Sequence, residues 1–231
     1  MLYLVATPIG NLEDISFRAL NTLFLVNTIL AEDSRKTYNL LKHFQKPGLK
    51  IPEIISFYEE NESQRIPEAI SRLKAGQDLA LVTNAGTPAI NDPGFKLVRE
   101  CRKQGIAVTS LPGAFAPAVA LSASGLPTDK FLFLGFPSPK SNSRQKLFQN
   151  VQKACQLVPA TIIFFESPHR LRKSLSDLQK IFGDIEVVLA RELTKMFEEY
   201  QRKKISALLE QFSLKEPKGE FIVLFNPKEQ E

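Results

Sequence analysis

The stretch LALVTNAGTPAINDPG, residues 79–94, decides the fold. Leu79 to Thr83 form an uncharged, mostly apolar run of the kind that fits a strand covered on both faces. The run then breaks at Gly86, which admits backbone angles closed to other residues, and at Pro88, which fixes one torsion and removes a donor. Pro93 stands where a new helix can start at its first position. The order is strand, shaped loop, helix. The loop has no lysine and its glycines match neither GxxxxGK[ST] nor GxGxxG, so a nucleoside triphosphate loop and a standard dinucleotide fingerprint both fit poorly. Either this is an ordinary turn, for which glycine and proline are usual, or it is shaped for a different ligand.

Outward from this stretch the same alternation recurs. Apolar runs at 2–6, 28–32, 54–57 and 106–110 are separated by amphipathic stretches, with helices expected over 16–26 (Ser16 as cap), 62–75 and 94–104, the last ending before Gly105. Strand, crossover helix and next strand in that order give a mostly parallel sheet covered on both faces. Beyond LPGAFAPAVALSASGLP (111–127), strands are expected at 131–136, 161–166, 186–191 and 219–225, and helices at about 143–155, 168–182 and 205–212. The chain therefore reads as two α/β domains with mostly parallel sheets, residues 1–115 and 116–231, and the loop between the halves is expected to form part of a cleft. PSPKSNSR, 137–144, reads as a mobile basic loop.

Composition narrows the classes. With 231 residues, 43% of them hydrophobic, the chain can bury a substantial core. No apolar run approaches the roughly 20 residues that cross a bilayer, and MLYLVATPIG lacks a basic leader region, so a cytoplasmic protein without a membrane partner is expected. Cys101 and Cys155 stand far apart in helix-like sequence, so neither a disulfide nor a structural metal is expected. The net charge of +5 is uneven: 13 Lys and Arg against 12 Asp and Glu up to residue 115, then 17 against 13. Between 137 and 173, Lys140, Arg144, Lys146, Lys153, Arg170, Arg172 and Lys173 face only Glu166. Such a cluster is either a solvated face or a surface for a polyanion.

Polar loop-forming groups follow nearly every strand: TPIGN with Pro8, AEDSRKT with Asp33 and Arg35, NAGTPAIND, LPGAFA with Gly113, ESPHR, and ARELTK. In open α/β sheets ligands collect at this rim, and a bare scaffold would finish its strands with short neutral turns.

VATPIGNLEDIS, AEDSRKTYNLL, LVTNAGTPAINDPG, LPGAFAPAVALSASGLPTDKFLFLGF, FFESPHRL, ARELTKMFEE and KGEFIVLF, in that order, resemble the ribosomal RNA small subunit methyltransferase I family of the tetrapyrrole methylase superfamily. The resemblance covers nearly the whole chain. It implies an S-adenosylmethionine-dependent enzyme that methylates the ribose 2′-oxygen of a cytidine in the decoding region of 16S rRNA. It also implies a homodimer acting on the small ribosomal subunit, not on DNA, with the cofactor in the cleft between domains. On this resemblance Pro8, Gly86, Thr87, Pro88 and Gly113 shape the cofactor site, and Asp92 binds an ammonium or ribose hydroxyl. Ser122 and Ala123 contact the cofactor's other side, and Phe165 borders the adenine. Asp92 is equally suited to cap a helix ahead of Pro93, Ser122 and Ala123 to close helix packing, and Phe165 to a core.

Methyl transfer from a sulfonium asks mainly for alignment, worth roughly 7 to 11 kcal/mol. The ribose hydroxyl must still lose its proton. Asp33, Glu166 and Glu192 are candidate acceptors and His169 an alternative base, with Arg35, Arg191 and Lys195 able to bind phosphate or steady an alkoxide. Each is equally suited to an ion pair or a cap. With the resemblance, the basic window gains weight as an RNA contact with strong salt dependence. Three departures bear on function. Asn84 replaces a family carboxylate, Phe115 replaces a small residue, and the chain stops at Glu231 where many relatives continue, so RNA-binding help from a tail is not expected. Two other readings follow: a non-catalytic ribosome assembly factor on the same fold, and a methylase of a corrin precursor, against which the basic window and ESPHR speak.

Overall fold

The computed structural model describes residues 1–228, so Glu229, Gln230 and Glu231 at the end of the expected second domain lie outside it. The chain divides into two compact units, Met1–Phe115 and Ala116–Glu231.

In the first unit, β1 (Leu2–Val5), β2 (Thr28–Ala31), β3 (Glu53–Ser56), β4 (Leu79–Val82) and β5 (Val108–Leu111) form one sheet in the order β3-β2-β4-β1-β5, every neighbour parallel. Four helices cover it: α1 (Phe17–Leu25), α2 (Ser34–Phe44), α3 (Glu62–Lys74) and α4 (Phe95–Lys103). The alternation of side chains along the strands sorts them. Leu2, Leu4, Leu79 and Leu81 pack with Ile70 and Leu73 of α3 and Leu97 of α4, whereas Val5, Ile29, Ala80 and Val82 pack with Leu23 of α1 and Leu41 of α2. Both faces are therefore dry, and β2 and β4 are buried at every residue. Ser16 caps α1 as expected, its hydroxyl accepting from the Ala19 N–H at 3.1 Å. This sheet order sets the carboxyl ends of β2, β4, β1 and β5 side by side.

The second unit holds α5 (Ala116–Ser122), β6 (Phe131–Phe133), α6 (Ser141–Leu157), β7 (Thr161–Glu166), α7 (Pro168–Phe182), β8 (Glu186–Arg191), β9 (Glu199–Lys204), α8 (Ile205–Leu214) and β10 (Phe221–Phe225). Its sheet runs β6-β7-β10-β8-β9 and is mixed: β6 and β7 are parallel, while β10 lies antiparallel between β7 and β8 and β9 closes the edge antiparallel to β8. Parallel pairing thus predominates across the two sheets taken together but not within the second. The β8–β9 connection of Glu192–Glu198 is too short for a crossover helix and allows only an antiparallel return. Strand β9, EYQRKK, carries no apolar alternation and was not expected from the sequence; its charged residues suit an exposed edge. The core joins Phe148 of α6, Leu171 and Leu175 of α7 and Leu208 of α8 to Phe164, Val187 and Val223 of the sheet.

The basic loop expected at 137–144 is corrected by the fold. Helix α6 begins at Ser141, and Arg144 is among the most buried side chains, 2% exposed and paired with Asp177. Asp177 lies beyond the basic window in sequence, and the turn of α7 brings it back under α6. Cys101 and Cys155 are buried free thiols in α4 and α6. No helix among the described residues is long and apolar enough to cross a membrane.

Candidate functional site

In the first unit, three loops are tied into one wall. The backbones of Thr7 and Gly86 exchange two hydrogen bonds, each 2.9 Å, which ties TPIGN to NAGTP. The Thr7 hydroxyl donates to the Thr83 carbonyl at 3.0 Å, and the Thr87 hydroxyl donates to the Ala114 carbonyl at 2.9 Å. Pro8, Gly86 and Pro88 are buried in this wall, and Thr87 is partly exposed. Gly113 lies so close to the first strand's exit that a Cβ there would stand 2.6 Å from Ala6 Cβ. Its glycine is therefore required by loop packing. Gly86, at φ +85°, serves the backbone angle.

The rest of the loop is strained. Ala89 (φ 67°) and Asn91 (φ 62°) both take left-handed angles that cost a side-chain-bearing residue energy, and such angles persist where surroundings force them. At the far end of the loop stands Glu62, which the sequence did not single out. It is 4% exposed on α3, accepts from the Gly94 N–H at 3.1 Å and pairs with Lys96 at 3.1 Å. At Gly94 a Cβ would lie 2.4 Å from Leu81 Cδ2.

Asp92 does not cap the helix. The N-cap is Gly94, and the helix starts at Phe95, after Pro93, so that expectation is corrected. The half-buried Asp92 carboxylate makes no hydrogen bond or ion pair among the described residues, and burial together with the nearby Glu32 pushes it up to about 6. Glu32 accepts from the Asn84 N–H at 2.9 Å, and the buried Asn84 Oδ1 has no partner. Asp92, Glu32 and Glu62 share a depression of about 710 Å³ with Tyr58 and Phe95. Two neighbouring carboxylates and an orphaned acceptor suit a cationic, hydrogen-bonding ligand.

Asp33 is the N-cap of α2. It accepts from the Arg35 N–H at 2.9 Å and from the Arg35 guanidinium at 2.9 and 3.1 Å, and this pairing holds it at about 2. Of the alternatives, cap and ion pair are both realised, and a carboxylate so acidic is a weak base.

At one end of the second sheet, Phe221 pairs with both Glu166 and Arg191, which brings ESPHR, ARELTK and the segment before β10 together. Glu166 is 2% exposed, and its oxygens accept from the Ser167 N–H at 2.9 Å and from the Ser174 hydroxyl and pair with Arg170 at 3.0 Å. With its lone pairs so occupied, Glu166 anchors the start of α7. Arg170 is likewise turned inward, to Glu166 and the Pro137 carbonyl. Glu192, at φ 50°, accepts from the Glu220 N–H at 2.8 Å and pairs with Lys195 at 3.3 Å, and these contacts hold its carboxyl below the usual carboxylate range. Lys195 also reaches Glu220 at 3.0 Å, and Arg191 donates to the Lys218 carbonyl at 2.6 Å. His169 is exposed on the first turn of α7, with no hydrogen bond or ion pair among the described residues.

Ser122 ends α5, exposed, its hydroxyl donating to the Val119 carbonyl at 3.0 Å, and the exposed Ala123 follows it. Phe165 is half-buried, with Phe133 edge-on at 5.0 Å and Phe136 tilted at 5.2 Å. No group of three or more metal-ligating side chains assembles among the described residues.

The profile of the Tetrapyrrole (Corrin/Porphyrin) Methylases matches residues 1–209. A Thermotoga maritima protein named ribosomal RNA small subunit methyltransferase I is 45% identical over 228 residues, covering 99% of each chain. The Escherichia coli O157:H7 protein of the same name is 47% identical over 209 residues, covering 90% of this chain and 70% of its own. Among solved structures, a diphthine synthase superposes with a TM-score of 0.71 at 13% identity, covering 100% of this chain and 91% of the other. A cobalt precorrin-4 methyltransferase of cobalamin biosynthesis gives 0.66 at 19% identity, covering 96% and 93%. At such identities the structural likeness establishes the fold alone.

Proposed function

The chain belongs to the ribosomal RNA small subunit methyltransferase I family of tetrapyrrole methylases, and on that premise we propose that it is an S-adenosylmethionine-dependent methyltransferase of small-subunit rRNA. In finer detail we propose the ribose 2′-oxygen of a cytidine in the 16S decoding region as acceptor, and a cytoplasmic homodimer as the working form. One observation carries the cofactor reading: the unpartnered, half-buried Asp92 carboxylate beside Glu32, held by a strained loop. Bound S-adenosylmethionine supplies a methyl group on a positively charged sulfur, which departs as a neutral thioether when the ribose oxygen takes the methyl.

The residues of this chain then have limited work. Asp92 accepts hydrogen bonds from the cofactor's ammonium or a hydroxyl, and the cation relieves its repulsion with Glu32. Gly86, Thr87 and Pro88, tied to TPIGN and to Ala114, keep a rigid wall and exclude water, so that reactants are held rather than gathered. Ser122, Ala123 and Phe165 of the second unit are proposed contacts on the resemblance alone. For the proton of the ribose hydroxyl we propose His169, whose ring nitrogens are uncommitted, in contrast to Asp33, Glu166 and Glu192. Arg191 and Lys195 stay as phosphate contacts, though each already serves a neighbour.

The test is calorimetric titration with S-adenosylmethionine followed by transfer of labelled methyl to undermethylated small subunits. Saturable binding and one 2′-O-methylcytidine per subunit are expected. Binding without transfer would leave a non-catalytic assembly factor, and transfer to a corrin precursor but not to subunits would overturn the RNA reading.

A further inference from the structure

Helix α7 carries His169, Arg172, Lys173, Ser176 and Lys180 at spacings of three and four, so they share one stripe, while Leu171, Leu175 and Leu178 point into the core. The basic side chains of the stripe are exposed to solvent. They line an open cleft of about 1140 Å³, bordered by Pro139 and Ser141 at the start of α6 and by Glu216–Gly219 ahead of β10. Lysines and arginines outnumber carboxylates five to two along its walls. At the floor, Asp177 is matched to Arg144, and Lys180 stands 3.5 Å from the same carboxylate. Arg172, Lys173 and Lys218 are exposed and make no ion pair among the described residues. The fold thus buries and neutralises one arginine of the sequence's basic window while gathering Lys180 and Lys218 from outside it.

We propose that this cleft holds the sugar–phosphate backbone of the RNA substrate, an inference that rests on the RNA reading above. Concave walls of one charge focus their field on a polyanion. Arg172 and Lys180 lie two turns apart, about 12 Å along the helix, long enough to track a strand rather than one phosphate. The neutral Arg144–Asp177 pair fixes α6 against α7 and keeps the cleft open without competing for the ligand.

The test is binding to undermethylated small subunits, in the presence of S-adenosylhomocysteine, between about 50 and 200 mM salt, the range over which phosphate contacts reveal themselves. Arg172→Glu with Lys173→Glu should weaken binding at least about tenfold and flatten the slope of log K against log salt by about 1.4 to 1.8, the loss of two phosphate contacts. Melting temperature and cofactor affinity should stay as in the parent. Lys74→Glu with Lys103→Glu, the same charge change on exposed residues of the first unit, should leave binding near the parent value. Equal effects from the two pairs, or none from the first, would overturn the cleft. A parent protein that neither binds nor methylates subunits would instead sink the RNA reading. Competition by inorganic phosphate at low millimolar concentration as effective as competition by RNA would also overturn it, as the site would then be one for a free anion.

Discussion

Asp92→Asn separates a carboxylate kept for a ligand from one kept for the fold. Asp92 is pushed from 3.8 to about 6 by burial and then by Glu32. At about 1.36 kcal/mol per pK unit this displacement approaches 3 kcal/mol, and screening at a half-exposed site reduces it to about 1 to 2 kcal/mol. The ionised carboxylate therefore destabilises the ligand-free fold at neutral pH, and the amide, which carries no charge, should raise stability by about that amount. For a unit of this size the melting temperature should rise by roughly 5 to 10 °C. Losing a charge-assisted hydrogen bond should at the same time weaken S-adenosylmethionine binding by about 1.5 to 3 kcal/mol, roughly 10- to 150-fold. Between pH 4 and 6 the folded protein holds a proton at Asp92 that the unfolded chain has released, so this group's contribution to stability falls as pH rises through that window. The variant should lack that slope, and parental cofactor affinity should decline below pH 6 as the carboxylate fills with protons. Thermal melts at pH 5 and 7.5 with calorimetry at both would measure all of this. A variant less stable than the parent at pH 7.5, or one that binds cofactor as tightly, would refute the assignment.

Asp177→Ala should cost about 3 to 5 kcal/mol in urea unfolding, because it strands a buried guanidinium, and Arg144→Met with Asp177→Leu should recover most of the loss. Burial raises Asp177, but Ser141, Gln145 and Arg144 more than offset it, so its net stabilisation is present above the ordinary carboxylate range and lost as pH falls through and below that range. Gly94→Ala should destabilise by about 2 to 4 kcal/mol, since φ +126° and a Cβ 2.4 Å from Leu81 Cδ2 cannot both be met, and cofactor affinity should fall with it as the Asp92 loop shifts. Asp33→Asn keeps a capping side chain and should leave methyl transfer within a few-fold of the parent, measured as kcat/KM; a loss above about 100-fold would restore Asp33 as the base.

Local pattern was enough for much of this protein. The apolar runs at β1, β2, β4, β7 and β8 and the cap at Ser16 are visible because strand burial and helix termination are decided within a few residues. The glycine and proline spacing of NAGTPAINDPG marked its loop as shaped. Partnership over distance was not legible. Nothing local marks Glu62, which the packing of α3 beside α4 puts under Gly94, 32 residues away. Arg144 looked like a phosphate ligand until Asp177, 33 residues on, neutralised it. Strand β9 has no apolar period to read, since an edge strand needs only one neighbour's backbone. Most strands, helices and the shaped loop were readable from the residues alone, β9 and the start of α6 excepted, because those features depend on short-range sterics and periodicity. The tertiary structure sorts charged groups into those used up inside the fold, as at Glu166 and Arg144, and those left without an ion pair among the described residues, as at Asp92, Arg172 and Lys173, because desolvation and pairing depend on what the folded chain brings alongside.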